Sequence, residues 1–143
     1  MSAAATSEAP TIGADRGSLL LRAIRLDALM SGASGVVLAV GASALDGILG
    51  ASTAFLVALG IFLLGYSGAL LLLAREGAPA LGAKAVILGN ALWAIASVVA
   101  VIAHWLTPTT AGTIVTLAQA AAVTLVADAQ LIGLRRRGHS TSL

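Results

Sequence analysis

Few side chains in this sequence could do chemistry, and those few stand in apolar surroundings. In VTLVADAQLIGLRRRG, Val123 to Gly138, one acid, Asp128, interrupts an apolar run that ends in three arginines. Gln130 follows two residues later. Asn90 and Trp93 share the stretch GNALW, Ser97 lies just beyond it, Tyr66 interrupts a leucine-rich run, and Asp27 follows Arg25 closely. Carboxylates, amides and a phenol of this kind could hold a proton, a cation or a small ligand. They could equally be hydrogen-bonded packing residues. The chain has no cysteine, which excludes disulfides, thiolate metal sites and thiol oxidation as its own chemistry. His104 and His139 are isolated and read as capping or interface residues rather than metal ligands. No nucleotide loop, zinc motif or nucleophile–base pair is present, so no catalytic residue, metal or cofactor is expected.

The elements that must position these residues are membrane helices. The chain has 143 residues, a mean hydropathy of +1.02 and 10% charged residues. Soluble domains carry roughly 25% charged residues. A soluble helical bundle would also show polar stripes at helical spacing, and these segments are apolar around most of their circumference. A helix needs about 20 mostly apolar residues to cross a bilayer. Four stretches qualify, at about 26–45, 53–74, 85–104 and 111–134. Together they predict an all-α, polytopic four-helix bundle spanning residues 19–137. A polar, disordered tail is expected over 1–18 and a short tail over 138–143. The connections are short and carry breakers, notably Pro79 and Pro108, so successive helices should be antiparallel neighbours.

Orientation follows from charge. Arg16, Arg22, Arg25, Arg75, Lys84, Arg135, Arg136 and Arg137 all fall on one side of the four spans; the other side has Asp46 and no Lys or Arg. The positive-inside rule predicts both termini in the cytoplasm. Arg22, Arg25, Arg135, Arg136 and Arg137 serve as topology anchors and attract anionic lipid headgroups. They form no aromatic-interleaved patch, so the pI near 9.9 does not imply nucleic acid. Trp105 reads as an interfacial anchor at the outer end of the third span.

The two halves echo each other. LDALMSGASGVV from Leu26 aligns with GNALWAIASVVA from Gly89 and pairs Asp27 with Asn90. STAFLVALG from Ser52 aligns with GTIVTLAQA from Gly112. Such a repeat would relate the halves about an axis along the membrane normal. Small residues offer ridges for close packing: Ser31, Gly35, Ala39, Ser43 and Gly47 on the first helix; Gly65, Gly68 and Ala69 on the second; Ala118, Ala122 and Gly133 on the fourth. The same ridges would serve homo-oligomerisation.

Depth brings the polar residues together. At 1.5 Å per residue, Asp128 lies about 10 Å in from Arg135, Asn90 about 9 Å in from Lys84 and Tyr66 about 13 Å in from Arg75. Ser67, Ser97, Thr124 and Gln130 can extend the cluster, while Gln119 lies deeper. Asp27 looks shallow, and its side chain should lean back toward Arg22 or Arg25. Asp128 leans into the bilayer, where a charged Asp costs about 2.5–3.5 kcal/mol near the centre of a span. It is expected to meet polar groups on the second and third helices, or a partner subunit.

At RLDALMSG, GNALWAIAS and ADAQLIGLRR the chain resembles a loose group of small bacterial integral membrane proteins with four helices. The resemblance implies the four-helix architecture and a cytoplasmic-membrane setting, and it carries no activity. It directs attention to Asp27, Asn90, Trp93, Asp128 and Gln130.

The resulting expectation is a non-enzymatic accessory or scaffold subunit, binding a partner helix, lipid or small ligand through the polar cluster of Asp128, Asn90, Tyr66, Gln130, Asp27, Ser97 and Trp93. The competing expectation is a small oligomeric transporter or channel using Asp128 as a protonatable or cation-binding site. A membrane enzyme pairing Asp128 with Tyr66 is a weaker third reading, since no second catalytic group stands at a fitting spacing.

Overall fold

A computed structural model describes residues 12–104 and 109–138, with side chains from residue 19 onward. Residues 1–11, Trp105, Pro108 and His139 lie outside the described residues, as does the side chain of Arg16.

The described chain is all-helical: α1 Ile12–Leu49, α2 Thr53–Arg75, α3 Ala80–Ile102 and α4 Thr110–Gly138. All four are long and apolar enough to cross a membrane. The predicted spans lie inside them, apart from the last two residues of the third, Ala103 and His104, which follow the end of α3. The largest difference is at α1, which is helical from Ile12, so residues 12–18 are not the irregular tail the sequence suggested. The reason is a core stripe that begins before the predicted span. Leu20, Ala23, Ile24, Asp27 and Ala28 recur at three- and four-residue spacing and are all buried. Arg22 and Arg25 occupy the other faces and are exposed.

Helix α1 packs along α2 on one side and α4 on the other; α3 packs on α4 and makes little backbone contact with α2. The α1–α2 seam is closed by backbone proximity. A Cβ on Gly60 would stand 2.6 Å from the Ala39 amide nitrogen and 2.7 Å from the Gly35 carbonyl oxygen. Gly133 meets Leu20 in the same way at the α1–α4 seam, where a Cβ would come within 2.8 Å of the Leu20 nitrogen. Small residues matter here because they let two helix backbones approach into close van der Waals contact. Gly65 and Gly68, part of the expected α2 ridge, are exposed with nothing near their Cβ positions. The contact surface of α2 is instead Leu56, Gly60, Ser67, Leu70 and Ala74.

Turns are held by short-range bonds. Gly77, at φ 76°, ends α2 in a conformation that glycine adopts without steric cost, and the Ala78 amide donates to the Leu73 carbonyl at 2.8 Å. At the opposite end of the bundle, Asp46 accepts from the Gly47 amide and the Thr53 hydroxyl, both at 2.6 Å, tying α1 to α2. The Thr109 hydroxyl donates to the Ile48 carbonyl and links that turn to α4. The described cations gather at the end where α1 and α3 begin and α2 and α4 finish.

The exterior is apolar. Val40 and Leu81 are each 82% exposed, and large aliphatic side chains face outward on every helix.

Candidate functional site

One residue from each helix meets in the interior. Asp27 of α1 and Asn90 of α3 are each 4% exposed, and Gln130 of α4 is fully buried. The Asn90 amide donates to Asp27 Oδ2 at 2.6 Å, and the Gln130 amide donates to the same oxygen at 2.8 Å. Asn90 Nδ2 also reaches Gln130 Oε1 at 3.3 Å, closing a triangle. From α2, the Tyr66 hydroxyl donates to Asn90 Oδ1 at 2.9 Å. Ser31, one turn along α1, donates to Asp27 Oδ1 at 3.4 Å. Every hydrogen bond to the Asp27 carboxyl is thus donated to it, and no described buried polar side-chain atom lacks a partner.

Asp27 was expected to be shallow, leaning toward Arg22 or Arg25. It is instead the hub, because the packed stripe of α1 continues past the arginines: Leu20 lies seven residues, about 10 Å, nearer the N-terminus and is fully buried. The alignment of the two halves pairs Asp27 with Asn90, and these two residues meet at the centre although α1 and α3 share no close backbone contact. That is the position an axis between two such halves would occupy.

Asp128 is not part of this node. It is exposed and has no hydrogen bond, so it does not meet polar groups on α2 and α3 as expected. Helical phase explains this. Residues two apart point about 200° from each other around a helix, so if Gln130 faces inward Asp128 must face out. Nor does Asp128 converge with Tyr66, which is engaged with Asn90 inside the bundle.

A second polar set lies one level further from the basic end. Trp93 Nε1 donates to Gln119 Oε1 at 3.0 Å, Gln119 Nε2 donates to Ser97 Oγ at 3.0 Å, and Ser97 donates to the Trp93 carbonyl at 2.8 Å. The Phe62 ring stacks with both Tyr66 and Trp93, at centroid distances of 6.4 and 5.9 Å. Through these rings α2 and α3 touch, although their backbones make few close approaches. Ser67 joins α2 to α1 through the Ala28 carbonyl at 2.7 Å, and Thr124 bonds back to its own helix at Ala120. Sequence reasoning left Gln119, Ser31 and Phe62 out of the cluster. Four-residue spacings, Asp27–Ser31, Phe62–Tyr66 and Trp93–Ser97, were the available signal.

At the basic end, Arg22, Arg25, Arg75, Lys84, Arg135 and Arg136 are exposed. Arg137 donates to the Gly77 and Ala78 carbonyls at 2.9 and 3.2 Å, fastening the end of α4 to the α2–α3 turn. No group of three His, Cys, Asp or Glu that could hold a metal occurs among the described residues.

Comparison of the chain with protein-family models, curated proteins and solved structures finds no match. Any role for its residues must therefore come from their geometry.

Proposed function

We propose that this chain is a multi-pass protein of a bacterial cytoplasmic membrane with both termini in the cytoplasm. Its role is that of a non-enzymatic accessory subunit that docks a helix of another membrane protein against the outer face of α4. The apolar exterior on all four helices supports bilayer insertion, since open water would solvate it poorly. The gathering of cations at one end supports the orientation. The buried node supports a rigid scaffold, because its polar groups are already used on one another.

The observation that carries the docking role is the exposure of Asp128. The buried polar side chains are paired, yet this carboxyl faces outward about 10 Å from the arginine belt. Ala121, Leu125 and Ile132 share its face and are exposed with it. An acid in lipid is costly, and a donor from a neighbouring helix would relieve that cost. The partner is therefore a transmembrane helix carrying a hydrogen-bond donor opposite Asp128.

Native mass spectrometry after gentle extraction from the protein's own membranes tests this. A stoichiometric foreign subunit that is lost in Asp128→Leu is the expected result. The chain alone overturns the docking role. A homo-oligomer would also overturn it and favour the second reading, for which the same exposure speaks: Asp128 as a protonatable or cation-binding residue between copies. Proton-coupled flux abolished by Asp128→Asn is the expected signature of that second reading.

A further inference from the structure

The outer surface between α3 and α4 holds a groove of about 680 Å³ at the basic end, distinct from the Asp128 face. Its volume falls within the roughly 300–1,000 Å³ of sites that take small molecules. The chemistry of its lining is divided. Lys84, Arg135 and Arg137 stand at one end, and no acid lines the groove among the described residues. Leu88 and Ala91 of α3 and Leu131 of α4 supply apolar walls that lead away from those cations. From Lys84 to Ala91 the α3 wall runs about 10 Å toward the middle of the bundle. The basic end is also shaped in advance, since Arg137 is fixed by its bonds to the Gly77 and Ala78 carbonyls.

We infer that this groove is a binding site for one anionic phospholipid, with its phosphate between Lys84 and Arg135 and an acyl chain along Leu88, Ala91 and Leu131. Charge complementarity selects the headgroup, because guanidinium and ammonium groups donate charge-assisted bonds to phosphate oxygens. Continuity of the apolar walls selects a lipid over free phosphate, which would use the cations and leave the walls empty. Basic pockets between membrane helices on the cytoplasmic side suit such headgroups. The site rests on the membrane-spanning reading of the chain, though not on the docking role of Asp128.

The test is titration of the purified full-length protein in neutral detergent with phosphatidylglycerol and, separately, with phosphatidylcholine, read by native mass spectrometry. Saturable binding of one phosphatidylglycerol, well above phosphatidylcholine, is expected. Each cation near a headgroup is worth about fivefold in affinity, so Lys84→Gln with Arg135→Gln should weaken binding about 25-fold. Arg75→Gln removes a cation at the same end but outside the groove, and should leave binding within about twofold. Leu131→Trp fills the groove and keeps every cation, and it should also abolish binding. Equal binding of the two lipids by the unaltered protein would overturn the site, and that comparison needs no variant to fold. Equal loss in the two charge-removal variants, or displacement of the lipid by millimolar inorganic phosphate alone, would overturn it as well. A protein that stays in solution without detergent would instead refute membrane insertion, a failure distinguishable from loss of lipid selectivity.

Discussion

Asp27 and Asp128 are the same residue type on two helices that pack together, and their surroundings are opposite. Asp27 is enclosed by donors from α1, α3 and α4. Asp128 faces outward with no bond at all. A buried polar group that is fully paired specifies packing, whereas one left without partners costs free energy wherever water is excluded. The inner acid is therefore spent on holding the bundle together, and the outer one remains available to something outside it.

The contrast is most easily broken at the inner acid. Asp27→Leu would strand the Gln130 donor, at about 1–3 kcal/mol for a buried group left unpaired, and leave Asn90 Nδ2 only its longer 3.3 Å contact to Gln130 Oε1. Interhelical bonds in membranes average only about 0.6 kcal/mol, because the unfolded chain in lipid also finds partners. A loss of about 2 kcal/mol or more in reversible unfolding from mixed micelles is expected, with Asp27→Asn much milder. Gly60→Ala comes next. Its Cβ meets backbone on α1 rather than a movable side chain, and such overpacking costs about 1–3 kcal/mol. The same unfolding measurement should rank it just below Asp27→Leu. Tyr66→Phe removes one hydroxyl donor and keeps the stack on Phe62, so a loss of about 0.6 kcal/mol is expected. The smallest effect belongs to the outer acid. Asp128→Leu should leave the stability of the isolated chain unchanged within about 0.5 kcal/mol, or raise it. A destabilisation matching that of Asp27→Leu would erase the distinction between the two carboxyls.

Much of this arrangement could be read from the residues. Apolar length located the four helices, and the cations marked one end of the bundle. Tyr66, Asn90 and Gln130 were correctly grouped by depth, since depth depends only on position along a helix. Choosing between the two acids was harder, because that depends on rotation about the helix axis. An apolar segment gives little rotational signal: in α4, aliphatic and alanine side chains surround both Asp128 and Gln130. The two residues could not both face inward, and nothing on α4 alone indicates which one does. The stripe of Leu20, Ile24 and Ala28 carries α1 beyond the predicted span, but two arginines interleaved with it obscured the pattern in the sequence. The α2 glycines follow the same rule. Gly60, Gly65 and Gly68 are equivalent as letters, and only the rotation of α2 against α1 selects Gly60.

The seam between Gly133 and Leu20 has a consequence for biogenesis. Leu20 lies on α1 and Gly133 on α4, so this contact cannot form until α4 has followed α1, α2 and α3 out of the ribosome. The same holds for Gln130 and its bond to Asp27. During translation α1 and α2 can zip together along their glycine seam, but the Asp27 carboxyl then still lacks two of its donors. Arrival of α4 closes the structure, so a chain truncated before Gln130 would be left with an unfinished interior.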